Sequence, residues 1–135
     1  MKQLLFTSLI MSLLCVTSCR KEEVKMRNNI VGEYHIQGTY YKRYPPTHSV
    51  IDRKIKILKV DKHKDQVAID DPVGTNITLT YTDNGIYIFK QYTKGNEGKD
   101  TLQLLSDGKI SYRSLYYTYD IYDTTLVHYT GMKVE

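Results

Sequence analysis

Apolar and polar residues alternate along most of this chain. Between Ile77 and Thr82, Ile77, Leu79 and Tyr81 share one parity and Thr78, Thr80 and Thr82 the other, the period of a half-buried strand. Apolar residues at helical spacing do not recur beyond about Asn29. Strands are predicted near Val31–Tyr44, Val50–Val60, Gln66–Asp70, Asn76–Thr82, Ile86–Thr93, Thr101–Leu105, Lys109–Thr118 and Ile121–Tyr129. Turn chemistry separates them. Asp83-Asn84-Gly85 and Ser106-Asp107-Gly108 supply residues that tolerate positive φ, and Lys94 to Gly98 reads as a looser hairpin loop. Pro45 and Pro46 end the first strand because proline cannot donate to a ladder, and Asp70 to Gly74 is a further break. In the second strand, Ile55 and Ile57 share a parity while Leu58 and Val60 take the other, which predicts a β-bulge near Ile57.

Roughly eight consecutive strands joined by short turns favour an all-β fold, an antiparallel up-and-down meander closed into a barrel or a strongly curled sheet. A flat two-sheet sandwich satisfies the same periodicity. Parity also sorts faces. Gly32, Tyr34, Ile36, Gly38 and Tyr40 fall on the inward side of the first strand. On the seventh, Ile110, Tyr112, Ser114 and Tyr116 share one face, with Arg113 on the opposite, solvent side.

The first residues have a different character. Met1 to Cys19 places Lys2 ahead of an apolar run from Leu4 to Val16, followed by Thr17 and Ser18. This is the layout of a secretory signal, too short and wrongly flanked for a membrane span. Val16-Thr17-Ser18-Cys19 resembles the lipobox of bacterial lipoproteins. The resemblance implies cleavage before Cys19 and a diacylglycerol thioether on its sulfur, with three acyl chains in all, palmitate among them, enough for stable anchoring. The implied organisation is a signal peptide over residues 1–18, a lipidated tether over 19–28 and a β domain over 29–135. Arg20-Lys21-Glu22-Glu23 resembles the export signal that sends some Gram-negative lipoproteins to the cell exterior. Lys21, Glu22 and Glu23 are its candidate residues, and the expected location is the outer membrane, facing outward. The chain has two cysteines. One leaves with the signal and the other is consumed by lipid, so no disulfide is expected in the mature domain.

Ile30-Val31-Gly32-Glu33-Tyr34 resembles the Gly-x-Trp opening of lipocalin-like domains, with Tyr34 where tryptophan is usual. Asp123 to Tyr129 is similar to the last strands of small bacterial lipoproteins of that type. The resemblance implies a barrel with an interior able to hold a small molecule.

Composition narrows the function classes. The 135-residue chain carries a formal net charge of +4, spread along its length, with no footprint for nucleic acid. No nucleophile elbow or zinc-binding His-Glu-x-x-His motif is present. Gly95 to Asp100 has two residues between its glycines where a phosphate loop needs four, and Asp61 to Asp65 lacks the glycine and final glutamate of a calcium loop. His48 and His63 fall in predicted turns. His35 and His128, on the first and last strands, become neighbours on closure, but no third ligand accompanies them. Asp70 and Asp71 adjoin a turn, and nothing points to two carboxyls held across a cleft. No catalytic residue, metal or cofactor is therefore expected.

The positive signal is tyrosine: thirteen of them, with two Phe and no Trp. Tyr112, Tyr116, Tyr117, Tyr119, Tyr122 and Tyr129 crowd the last two strands, and Tyr40, Tyr41 and Tyr44 end the first. Tyrosine offers a flat apolar face with a polar rim, suited to a sugar or a ring-bearing ligand, and it is equally a strand-forming core residue. The candidate binding residues are Tyr34, Tyr40, Tyr112, Ser114 and Tyr116. The expected function is a lipid-anchored, non-enzymatic domain that binds a small apolar or glycan-like ligand. A protein-interaction module or an enzyme inhibitor is the alternative. Asp107 to Ser114 resembles the glycine-serine-arginine loop of lysozyme-inhibiting lipoproteins, although a basic inhibitor is repelled by a basic lysozyme.

Replacing the lipid acceptor, Cys19→Ala, is expected to release the protein from the membrane fraction, and persistence there overturns the lipobox reading. Replacing Lys21, Glu22 and Glu23 together by Ala is expected to protect the domain from protease added to whole cells. Unchanged shaving removes the export reading.

Overall fold

The strand periodicity resolves into a closed barrel. The computed structural model describes residues 21–71, 76–93, 96–118 and 123–134. Its strands are β1 (Gly32–Lys42), β2 (Thr47–Lys59), β3 (Gln66–Asp70), β4 (Ile77–Asp83), β5 (Ile86–Thr93), β6 (Asn96–Leu104), β7 (Ile110–Thr118) and β8 (Asp123–Lys133). Each pairs antiparallel with the next, and β8 closes on β1 with Gly38 opposite Tyr129. This is the up-and-down, lipocalin-like architecture, and closure leaves no unpaired edge.

Three local expectations give way to the structure. The stretch read as a tether contains a helix, α1, over residues 21–30. Its Lys and Glu residues are good helix formers, while Glu23, Val24, Met26, Arg27 and Ile30 are at least half-buried at helical spacing. The charged sequence hid a narrow apolar stripe. No bulge interrupts β2 near Ile57, because the β2–β3 register runs unbroken from Lys56↔Asp70 to Lys59↔Val67. Leu58 simply faces outward, 44% exposed, and the register shift falls instead in β4 between Tyr81 and Asp83. Strand β6 begins at Asn96 rather than Thr101, so Gly98 lies inside a strand, not in a hairpin loop. The expected break over Asp70 to Gly74 and the start of the last predicted strand lie partly outside the described residues.

The barrel has two unlike ends. Helix α1 crosses the end that carries the β2–β3, β4–β5 and β6–β7 turns. There, Arg27 Nη1 donates to the His63 carbonyl at 3.0 Å, Tyr34 Oη donates to the Ile30 carbonyl at 2.9 Å and Lys133 Nζ donates to the Asn29 carbonyl at 3.2 Å. Above the helix, Ile30, Tyr34, Ile36, Ile55, Ile57, Val67, Leu79, Tyr87, Leu102 and Ile110 are buried and pack together. This half of the barrel is filled. Tyr87 packs edge-on against Tyr81, with ring centroids 5.3 Å apart, a favoured aromatic arrangement.

At the opposite end, the β1–β2 turn is tied to the start of β8. Arg43 N donates to the Thr124 carbonyl at 2.9 Å, Tyr44 N donates to Asp123 Oδ1 at 2.8 Å and Lys42 Nζ lies 3.6 Å from Asp123 Oδ2. Three turns at the closed end use left-handed backbone, at Lys62, at Asn84-Gly85 and at Gly108, and the last two are positions that the turn signals anticipated.

Truncating a residue in the filled half leaves a void that the surrounding strands cannot collapse. Leu102→Ala is expected to lower stability by about 2–5 kcal/mol. Val127→Ala, in the wall of the half-empty end described below, is expected to cost less than Leu102→Ala. Urea unfolding of both variants checks the contrast.

Candidate functional site

Small residues on the inward face of the upper strands leave the lumen unfilled. Gly38, Ser49, Gly98, Ser114 and Thr125 all point inward there and cannot reach the opposite wall. The result is a cavity of about 890 Å³ at the end opposite the helix. One inward-facing layer at this level can be followed around the barrel by register: Phe89↔Asp100, Asp100↔Ser114, Ser114↔Val127, Val127↔Tyr40 and Tyr40↔Ser49, and all of these but Asp100 line the cavity. Ile51, Ile69 and Ile77 form the apolar opposite side, with Tyr112, Tyr116 and Tyr129 completing the aromatic one.

A fully buried carboxylate, Asp100, lies behind the aromatic wall. Its Oδ1 accepts a short hydrogen bond from the Tyr112 hydroxyl, and its Oδ2 accepts one from the Tyr116 hydroxyl at 2.7 Å. Hydrogen bonds to an ionised group are among the strong ones. Ring placement is equally constrained. Tyr112 stacks on its register partner Tyr129, with centroids 4.6 Å apart and planes at 20°. Tyr116 lies across Gly98, where a Cβ would come within 2.3 Å of the ring. Glycine at position 98 is thus what allows the Tyr116 ring to reach Asp100.

These contacts move the phenols away from neutral pH. Burial is the largest cause of the upward shift at both Tyr112 and Tyr116, and Asp100 adds to it through its charge and its hydrogen bond. Tyr129 is raised by burial first, then by the charges of Asp71 and Asp100.

A second polar group faces the cavity from β2. Arg53 Nη2 donates to Asp71 Oδ2 in a close ion pair, while Arg53 Nε is buried without a hydrogen-bond partner. Arg53 shares the inward parity of Ile51, Ile55 and Ile57, so its charge must enter the lumen.

Of the residues singled out from sequence, Tyr40, Tyr112, Ser114 and Tyr116 line the cavity together. Tyr34 does not. It is fully buried in the closed half, where its hydroxyl bonds the last residue of α1, and burial raises its pKa. Tyr41 and Tyr44 are exposed outside, and Tyr119 and Tyr122 lie outside the described residues, as does Cys19. Lys21, Glu22 and Glu23 are the first described residues of α1. Arg113 points to solvent, as its parity predicts.

His35 stands opposite Met132, while His128 stands opposite Thr39 and Arg113. The two histidines are not partners. His35 Nε2 lies 2.5 Å from Asp52 Oδ1, and this bond with that from Gln37 holds the exposed Asp52 carboxyl below its ordinary range. Among the described residues, no group of three or more His, Cys, Asp or Glu side chains is placed to hold a metal ion.

Sequence reasoning missed Arg53, Asp71 and Tyr129 as parts of the wall, and Asp100 behind it. Asp100 shares the inward parity of Gly98 and Leu102, a signal that starting the strand at Thr101 removed.

No protein-family model and no curated protein matches the chain. Among solved structures, a Bacteroides ovatus protein of unknown function is similar, with 14% identity and a TM-score of 0.49, over 76% of this chain and 41% of that one. The S-type phycobiliprotein lyase CPES from Guillardia theta is similar over 86% of this chain and 97% of its own, with 8% identity and a TM-score of 0.47. This chain therefore spans less than half of the Bacteroides ovatus chain.

Removing one donor from the carboxylate exposes the cost of burying it. Tyr116→Phe is expected to destabilise the fold by about 1–3 kcal/mol, measured by denaturant unfolding. Gly98→Ala is expected to displace the Tyr116 ring and to destabilise as well. The phenol shifts also predict an alkaline limit. The folded state holds protons on Tyr112, Tyr116 and Tyr129 that the unfolded chain loses above its ordinary value of 10.0. The stability that they contribute is fully present below that pH and falls as pH rises beyond it. Absorbance titration of tyrosinate is expected to show these phenols ionising only as the barrel unfolds.

Proposed function

We propose that this protein is a lipid-anchored, outward-facing binding domain that carries a small ligand with an apolar or ring-bearing body in the upper half of its barrel, and that it is not an enzyme. The observation that carries this reading is the cavity of about 890 Å³, in the range that encloses small-molecule ligands. Its wall supports the same reading. Flat tyrosine faces provide contact area with few rotatable bonds, and Ser49, Ser114 and Thr125 provide hydrogen-bonding groups at its edges. Tyr112, Tyr116 and Tyr129 have pKa values pushed well above neutrality, whereas general acid–base work favours groups poised near the operating pH.

The anchor and the cavity have a definite relation. Cys19 stands two residues before Lys21, the first described residue of α1, and α1 crosses the closed end. A lipid on Cys19 therefore holds the closed end toward the membrane and turns the cavity mouth away from it. Strands of 11 residues, as in β1 and β8, set the two ends roughly 25–30 Å apart after allowance for tilt. The ligand enters from solution, not from the bilayer.

Uptake of the neutral fluorescent probe N-phenyl-1-naphthylamine tests the binding reading. Saturable uptake is expected in the purified chain, with loss of uptake in Val127→Trp, which fills the cavity while circular dichroism shows the barrel retained. Uptake unaffected by that substitution overturns it.

A further inference from the structure

The charges around the cavity do not balance. Arg53 and Asp71 are the charged residues of its wall and satisfy each other directly. Lys42 and Asp123 form a second matched pair at the mouth. Asp100 makes its hydrogen bonds to two tyrosine hydroxyls and pairs with no cation among the described residues. One buried carboxylate is left over. An uncompensated charge in a low-dielectric interior is costly, and a ligand of opposite sign recovers that cost.

The tyrosines transmit this asymmetry to the cavity. The Tyr112 and Tyr116 hydroxyl hydrogens are committed to Asp100, so their oxygens keep only lone pairs for anything in the lumen. Such oxygens accept from an N–H donor and offer none of their own protons to an anion. Tyr129, stacked on Tyr112, and Phe89, across the register from Asp100, add ring faces whose quadrupoles attract a cation. Resting on the reading of this cavity as a ligand site, we infer that its occupant is an organic cation: an amine on an apolar or aromatic body, with its nitrogen against the Tyr112–Tyr116 wall and its body toward Ile51, Ile69 and Ile77.

Calorimetric titration of the purified full chain with three compounds that share a phenyl body tests the charge preference. The expected order is 2-phenylethylamine tightest, 2-phenylethanol weaker by about tenfold, and 3-phenylpropanoate weakest. Asp100→Asn is expected to erase the amine's advantage over the alcohol. Because that substitution lies in a buried network, Asp71→Asn serves as the second variant. It leaves Arg53 unmatched at the cavity wall, and is expected to lose the amine preference and to gain affinity for the carboxylate. Equal binding of amine and alcohol, or a preference for the carboxylate, overturns the cation assignment while uptake of the neutral probe keeps the cavity reading intact. Failure of all three compounds together with exclusion of the neutral probe overturns both.

Discussion

Closure of β8 against β1 is the constraint on which the rest of the molecule depends. The two strands approach closely where Gly38 faces Tyr129: a Cβ at position 38 would lie 2.1 Å from the His128 carbonyl oxygen and 2.5 Å from the Tyr129 Cα. Gly131 plays a similar part lower down, where a Cβ would crowd Ile36 and Ile110. With the seam shut, every strand must send alternate residues into a common lumen. That is why an arginine and a carboxylate, which would otherwise face water, enter the interior as Arg53 and Asp100, with Asp71, just past the end of β3, paired to Arg53.

The lumen then divides according to side-chain size. In the half covered by α1, isoleucine, leucine and two large tyrosines meet across the axis and exclude solvent. In the other half, glycine and serine alternate with tyrosine, and the rings lie along the wall instead of across it. Asp100 is the reason that they do so. By accepting both the Tyr112 and Tyr116 hydroxyls, it draws the rings back against β6, and Gly98 leaves room for the second of them. The same interaction that costs stability through a buried charge keeps the cavity open.

Much of this arrangement can be read from residue order. The inward parity of Tyr34, Ile36, Tyr40, Tyr112, Ser114 and Tyr116 follows from period-2 alternation alone, and the Asn84-Gly85 and Gly108 turns follow from their need for positive φ. Other features resisted. Leu58 broke the alternation of β2 because an outward leucine on a barrel costs little, and a bulge was the natural but mistaken reading. The helix over residues 21–30 was obscured by its charge, since its apolar stripe becomes meaningful only when an open barrel end stands above it. Tyr34 and Tyr112 have the same residue type and the same inward parity, yet one is core and the other cavity wall, because depth along the barrel axis is not encoded in alternation.

The sequence by itself determined the all-β class and which face of β1 and β7 turns inward, because these depend on local periodicity and turn chemistry. Only the tertiary structure decided that Asp100 meets two tyrosines from the neighbouring strand, that Arg53 meets Asp71, and that the void lies at the end away from the helix. Those outcomes depend on register and closure, which bring together residues far apart in the chain, and on whether the side chains that meet inside are large enough to fill the space.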